Sequence, residues 1–370
     1  MDREGYVELR RGVIDAGLCT LCGGCVASCP VSVLDFAKDS ITLKGECIEC
    51  GTCLRICPGK GIDLSSHEEE LFGRRRKKVI GTRFGIHIER KQLTSSVMEF
   101  VKASYYGGRV ASVLISAMEK GLIDSALMTD WGDEGLISQG KAVMARSRDD
   151  ILSMVSSKYV FSPVLTLLRE AQEDDSVKHL AVVGLPCHVQ ALRNMMKDTT
   201  ASKFTGKVRY VVGLNCGAPL RSEDDWRASI SPLLGADPGS IMEFRAHKVT
   251  GTTIKVEARM KDGGQISKVV PIGRYLSIFA KGPIWGRCLL CTDYSAELSD
   301  ITFGAPVIRS ERGKELVDRA LESGYLKRSS YKKRFTQNIT DLYAGGRKKR
   351  RASKYIRKRA SVREPVPEYR

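Results

Sequence analysis

The sequence predicts an α+β chain in which a small cysteine-rich module precedes a larger α/β domain. Three observations carry that expectation. Eight of the twelve cysteines lie between Cys19 and Cys57, in two copies of one spaced run. Beyond that module, short apolar runs alternate with helical periodicity, as they do in a sheet covered by helices. The chain has 370 residues, far more than a module of about sixty, which leaves polypeptide for roughly two further domains.

The two runs are Cys19-x2-Cys22-x2-Cys25-x3-Cys29-Pro30 and Cys47-x2-Cys50-x2-Cys53-x3-Cys57-Pro58. Thiolates at this spacing reach three irons of one cubane from a tight turn, and the set-back fourth cysteine, followed by proline, ligates the partner cluster. This two-cluster ferredoxin pattern predicts one 4Fe-4S cluster on Cys19, Cys22, Cys25 and Cys57, and another on Cys47, Cys50, Cys53 and Cys29. A zinc site would use four cysteines rather than eight in a crossed arrangement. The ferredoxin-like module is expected to span residues 1–64. Residues 65–82 place Glu68-Glu69-Glu70 ahead of Arg74-Arg75-Arg76-Lys77-Lys78. They are too charged for a core and read as a linker.

Residues 83–310 form the expected α/β domain. The apolar runs at 123–128, 180–183 and 210–214 read as buried strands. Between the first of them and the module, Val110, Val113, Leu114, Ala117 and Met118 recur at helical spacing, stopped by Gly121. The four remaining cysteines fall where loops should be: Cys187 and Cys216 each follow a strand, and Cys288-x2-Cys291 forms a tight pair. Four thiolates suffice for a third cubane. The same four could hold zinc or be ordinary buried cysteines; two clusters already present favour iron and sulfur.

Net charge is +17 and unevenly spread. Residues 311–370 hold nineteen Lys or Arg against seven Asp or Glu. The densest stretch, Arg347-Lys348-Lys349-Arg350-Arg351 through Arg357-Lys358-Arg359, lacks apolar periodicity and reads as an exposed docking segment of a basic C-terminal extension. The alternative is a solvated tail with no partner. An acidic protein partner or an anionic membrane surface suits it better than nucleic acid does. Twelve cysteines without an N-terminal apolar signal region predict a reducing compartment. No apolar run approaches the eighteen residues of a spanning helix. The expected location is cytoplasmic, or peripheral on the inner face of a membrane.

Several segments, in order, resemble the family of beta subunits of coenzyme F420-dependent hydrogenases and formate dehydrogenases. They are Tyr106-Gly107-Gly108-Arg109-Val110-Ala111-Ser112, Ser156-Ser157-Lys158-Tyr159 with Ser162-Pro163, Gly184-Leu185-Pro186-Cys187-His188-Val189-Gln190-Ala191-Leu192, and Cys288-Leu289-Leu290-Cys291-Thr292-Asp293-Tyr294 with Glu297 and Asp300-Ile301. The layout with two ferredoxin clusters in front resembles the electron-input component of reduced-F420 dehydrogenase complexes of archaeal membranes, and also the N-terminal half of F420-dependent sulfite reductase. The resemblance implies an α/β flavin domain with a non-covalent FAD facing coenzyme F420. It implies a third 4Fe-4S cluster on Cys187, Cys216, Cys288 and Cys291, and it puts the flavin near Gly107, Gly108, Arg109 and Ser112, near Ser157, Lys158, Tyr159 and Ser162, and by Pro186. Two glycines ahead of a helix also suit an anionic pyrophosphate, because they expose backbone N–H groups at a positive helix end. No Gly-x-Gly-x-x-Gly fingerprint is present, so a Rossmann-type site is not expected.

The anionic tail of F420 needs cations, for which Arg109, Lys158, Arg274 and Lys281 are the candidates. No catalytic base is expected, since placement and electrostatics do the protein's part, and His188 reads as a structural hydrogen-bonder. The expected function is oxidation of reduced F420 by hydride transfer to FAD, with single electrons passing through the clusters to a larger partner complex. Alternatives are an input module for an F420-dependent sulfite reductase, hydrogenase or formate dehydrogenase, a reductase acting on a different two-electron partner, and a wiring subunit without its own substrate site.

Overall fold

A computed structural model describes residues 5–37, 40–76, 84–103, 108–131, 140–155, 158, 161–220, 222–249, 252–281, 284–304, 306–328 and 346–370. In the N-terminal module, β1 (Leu34–Ala37) pairs antiparallel with β2 (Ser40–Leu43), and β3 (Gly61–Ile62) closes it. Each cysteine run wraps into a turn and then a short helix, Gly24–Ser28 or Thr52–Arg55. The two turns repeat each other in backbone conformation. Leu21 and Gly23 are left-handed in the first, Glu49 and Gly51 in the second. Such residues reverse the chain within a few positions, so that successive thiols face one point.

The larger domain is organised by a seven-stranded sheet. Its strands are β4 (Glu89–Arg90), β6 (Ser125–Trp131), β7 (Gly140–Ala145), β8 (Leu180–Gly184), β9 (Val208–Leu214), β13 (Ile301–Phe303) and β14 (Val307–Ile308), in the order β4-β14-β13-β9-β8-β6-β7. β6, β8, β9 and β13 run parallel, flanked by antiparallel β7 and β14. All five residues of β8 are buried, as parallel strands covered on both faces must be. The alternation of a strand sorts its side chains. Ala181, Val183, Tyr210 and Val212 join one core, with helices Arg109–Glu119 and Glu311–Glu322. Leu180, Val182 and Val211 join another, with helix Pro186–Lys197.

That second core continues without a break into the ferredoxin module, where Leu9, Val13, Leu18, Ile41, Leu54 and Ile56 share it with Leu165, Val189, Ala191 and Leu192. Polar contacts reinforce the seam: Leu165 N–H donates to the Cys22 carbonyl at 3.1 Å, and Arg55 pairs with Asp198 at 2.7 Å. Outside the main sheet, β5 (Leu93–Ser95) pairs with β15 (Leu326–Arg328). β10 (Ile241–Lys248), β11 (Thr253–Met260) and β12 (Gln265–Pro271) form an antiparallel sheet. Helices Glu223–Leu234 and Ile272–Lys281 cover it over a core of Trp226, Phe244 and Tyr275.

Three expectations about organisation are corrected. The charged stretch after residue 64 is not simply a linker: it begins with helix Leu64–Phe72, N-capped by Asp63, in which His67 and Glu68 are buried, and the Arg76 side chain is 2% exposed. Residues 77–83 lie outside the described residues. Helix Glu311–Glu322 belongs to the sheet domain rather than to a tail, since Leu316, Val317 and Ala320 are buried beneath it. Most sharply, the basic segment is not a free docking arm. Helix Lys348–Ser361 buries Lys348, Lys349 and Ala352. Beyond it, β16 (Glu368–Tyr369) pairs parallel with β3, tying the C terminus to the ferredoxin module. Charge alone suggested solvent; the charges on the inner face are buried because each meets a partner. Among the described residues no helix is long and apolar enough to cross a membrane.

Candidate metal centres

The eight cysteines of the module separate into two groups around two cavities. One is lined by Cys19, Cys22, Cys25 and Cys57 together with Leu9, Val13 and Ile56. The other is lined by Cys29, Cys47, Cys50 and Cys53 with Tyr6, Val31 and Ile48. The chain therefore crosses as the spacing requires, each run lending its last cysteine to the other's cavity. Burial pushes the thiols of Cys19 and Cys53 up to about 12 and that of Cys57 up to about 11, with neighbouring cysteines adding to it. Such thiols ionise only against a bound cation, so metal binding must displace their protons.

The other four cysteines also converge. Cys187 lies in the first turn of helix Pro186–Lys197, just beyond β8. Cys216 lies beyond β9, its N–H held by the Tyr294 carbonyl at 2.8 Å. Cys288 is in helix Gly286–Leu289, with Cys291 just after it. Burial raises Cys187 well above the usual thiol range, and Cys22, Cys216, Cys288 and Cys291 add to the rise. Cys288, pushed to about 12, is affected in the same way by burial, Cys216 and Cys291. Cys22 is thus a neighbour of this set while lining the first cavity. Among the described residues no three His, Cys, Asp or Glu close on a single metal ion. Four thiols are the donor set that a 4Fe-4S cluster takes.

A cation sits between the two sets. Arg287 is 2% exposed and donates to the Pro58 carbonyl at 2.7 Å and the Tyr369 hydroxyl at 3.2 Å. Its charge acts on Cys19, Cys22 and Cys57 on one side and on Cys288 on the other. Next to it, the Trp285 indole donates to the Cys19 carbonyl at 3.3 Å and packs 4.9 Å from the Phe161 ring.

The residues expected at a flavin or F420 site divide. Gly107, Ser157 and Tyr159 lie outside the described residues, as does the Lys281 side chain. Gly108 caps helix Arg109–Glu119 in a left-handed conformation. A Cβ there would collide with Phe100, so the glycine is required by close packing. Arg109 donates to the carbonyls of Leu93 and Gly304 at 2.9 and 2.8 Å, which makes it a clamp between elements. Ser112 is wholly buried with its hydroxyl on Ser95 at 2.8 Å; it faces the core because it lies on the inward face of its helix. Pro186 occupies the first turn of its helix, where a missing N–H costs nothing. Arg274 is exposed and donates to the Pro232 carbonyl. In this structure Arg109, Ser112 and Arg274 hydrogen-bond to the protein scaffold.

Lys158 is buried, its Nζ donating to the Met154 carbonyl at 2.8 Å, and Ser162 is buried nearby in sequence. Burial brings the Lys158 ammonium down to about 8 against the opposing pull of Asp130, 3.6 Å away. The Ser162 hydroxyl is buried and has no hydrogen-bond partner among the described residues. The Ser162 carbonyl accepts from His188 Nε2 at 2.8 Å, and His188 Nδ1 accepts from the Leu185 N–H at 3.1 Å. Burial holds His188 near 4, hence neutral. It is the structural hydrogen-bonder that the sequence suggested.

Sequence reasoning missed a buried ionic network. Arg76 bridges Glu68 and Glu297, and Lys349 meets the other Glu297 oxygen at 2.7 Å. All four side chains are at most 2% exposed. Burial pushes the Glu297 carboxyl up, but Lys349 and Arg76 outweigh it and hold it below the usual range. Only Glu297 carried a signal, as part of a motif; the cations lay in charge runs.

Three family profiles match the chain: a 4Fe-4S dicluster domain over residues 11–64, the N-terminal part of the coenzyme F420 hydrogenase/dehydrogenase beta subunit over 94–169, and the C terminus of that beta subunit over 177–334. The coenzyme F420 hydrogenase subunit beta of Methanococcus voltae is 25% identical, covering 73% of this chain and 94% of its own. One of the subunits of the F(420)H(2) dehydrogenase of Methanosarcina mazei is 26% identical over 83% of each chain. A chain of the F420-reducing NiFe hydrogenase complex from Methanosarcina barkeri shares the fold, with a TM-score of 0.61 at 22% identity over 77% of this chain and 96% of that one. Helix Lys348–Ser361 lies beyond all three profiles.

Proposed function

This chain belongs to the family of coenzyme F420 hydrogenase/dehydrogenase beta subunits, with a 4Fe-4S dicluster domain in front, and from that premise we propose an F420-linked oxidoreductase subunit. It oxidises reduced F420 by hydride transfer to FAD and passes single electrons through three 4Fe-4S clusters to a larger protein complex. The observation that carries this reading is the adjacency of the three cysteine sets. Arg287, next to Cys288, donates to the Pro58 carbonyl at 2.7 Å, and Trp285 to the Cys19 carbonyl at 3.3 Å, so the third set lies against the first cavity. The first and second cavities exchange cysteines across the module, and Cys50 of the second is exposed. A row of redox centres from the interior to the surface fits that order.

The residues fit these groups to different degrees. Twelve thiols in three sets of four supply the donors that 4Fe-4S clusters take. For a flavin, the described residues offer the unpartnered Ser162 hydroxyl and the buried Lys158 cation, while Arg109 and Ser112 serve the scaffold. A bound flavin accepts two electrons as a hydride and releases them singly, which iron-sulfur clusters need. The chain itself holds the Ser162 loop through neutral His188. It packs apolar side chains around the thiols and places Arg287 between the third and first sets. The partner is a one-electron acceptor reached through the second cavity.

The test is anaerobic. Iron and FAD are counted per purified chain, and reduction of an artificial one-electron dye by reduced F420 is followed. About twelve irons and one FAD with F420-dependent dye reduction are expected. About eight irons, no flavin and no turnover would leave a wiring subunit instead.

A further inference from the structure

Two adjacent lysines of the C-terminal helix are buried in different ways. Lys349 has a carboxylate, Glu297, at 2.7 Å. Lys348 is 4% exposed, and its Nζ donates to the backbone carbonyl of Cys216 at 2.9 Å. Among the described residues no carboxylate forms an ion pair with it. An ammonium this far from water is costly unless an anion is near. The group it touches is the backbone of Cys216, a member of the four-cysteine set that becomes anionic once it holds a cluster. We propose that Lys348, delivered by the C-terminal helix, is a fixed counter-charge that sets the reduction potential of a cluster held by Cys187, Cys216, Cys288 and Cys291.

The physical chain is short. A thiolate-ligated cluster gains one negative charge when it accepts an electron, and a nearby buried cation favours the reduced form. The helix cannot slide away easily. It is anchored by Lys349 on Glu297, by Arg359 on the Ala16 carbonyl at 3.0 Å, and beyond its end by β16 on β3. The basic C-terminal segment, which looks like a docking arm in sequence, thereby becomes part of the redox site, and this chain adds it beyond the residues the family profiles match. The inference rests on the third cluster of the proposed function.

The experiment uses the full chain, anaerobically loaded with iron and sulfide, in four forms: wild type, Lys348→Met, Lys348→Gln and Lys348→Arg. Iron is counted and each cluster's midpoint potential is read by EPR-monitored titration. The expected result is a third-cluster potential lower in both neutral variants by about a tenfold change in the reduction equilibrium, ~59 mV for a one-electron couple. In Lys348→Arg it stays near wild type, and the two ferredoxin clusters are unmoved in all four. Loss of the third signal in both neutral variants with retention in Lys348→Arg also supports the proposal, since charge is then needed to hold the cluster. An unchanged potential in either neutral variant overturns it. Loss of the signal in Lys348→Arg as well means a packing role and overturns it too. Wild-type protein with about eight irons and no third signal removes the cluster reading itself, a failure visible before any variant is made.

Discussion

Glu297→Gln tests whether buried charge pairing holds the C-terminal helix on the body of the protein. Glu297 meets Arg76 with one oxygen and Lys349 with the other, and all three side chains are 1–2% exposed. The amide keeps the volume and removes the charge. Arg76 retains Glu68, 2.5 Å away, but Lys349 loses the carboxylate that it meets at 2.7 Å. Breaking a buried pair by removing one member costs about 3–5 kcal/mol. At 1.36 kcal/mol per decade that corresponds to roughly two to three and a half decades in the opening equilibrium of the helix. Because a chain with several cores need not unfold in one step, the assay is local: amide hydrogen exchange over helix Lys348–Ser361, with core strand β8 as the internal reference. Protection in the helix should fall by that factor, or to the fully open limit, while β8 stays protected. The double variant Glu297→Gln with Lys349→Met, which removes both members of the pair, should recover at least half of the loss. Unchanged helix protection in the single variant would refute the reasoning and place the hold in β16 and the apolar contacts instead.

Other predictions concern the seam, the buried cation Lys158 and the third cysteine set. Gly23→Ala puts a Cβ 2.8 Å from the Pro163 carbonyl oxygen at φ 82°; Gly17→Ala, at φ 67° with nothing within 4 Å, carries the conformational strain alone. Strain of about 1–2 kcal/mol is expected for the second and clearly more for the first, read as loss of iron-sulfur absorbance against denaturant concentration. Equal losses would show that the seam yields. Lys158, down at about 8 from an ordinary 10.5, is charged below its folded value and neutral above it. Affinity for FAD, measured by flavin fluorescence, should fall as pH rises through 8, and Lys158→Met should flatten the profile. The cost of burying that charge is present below about 8 and is relieved between 8 and 10.5, so its effect on protein stability has the opposite slope. A parallel fall in the variant would assign the dependence elsewhere. Cys187→Ser should remove about four irons while leaving both ferredoxin EPR signals; loss of all three centres would mean that the sets do not assemble independently.

How much was legible follows from where each signal resides. Cys-x2-Cys-x2-Cys-x3-Cys-Pro is a local device, fixed by the reach of a thiol from a turn, so the crossed sharing between the two cavities could be read from spacing. The apolar runs at β6, β8 and β9 and the helix stopped by Gly121 were equally plain, because burial on both faces of a parallel strand leaves no room for polar residues. Arg109 and Ser112 resembled ligand contacts, and only the packing showed one tied to Leu93 and Gly304 and the other to Ser95. The basic tail was the largest misreading. A run of lysines and arginines looks the same whether it faces water or carboxylates, and nothing nearby in sequence distinguishes Lys348 and Lys349 from Lys354 and Lys358. What distinguishes them is distant. Arg76 and Glu297 are separated by 221 residues, and Lys348 reaches Cys216 across 132. Sequence by itself determined the grouping of the module's thiols and the apolar runs of the strands, since both rest on local spacing. The pairing of buried charges was decided by tertiary structure alone, because a charge is stable in an interior only when the fold brings its partner from elsewhere in the chain.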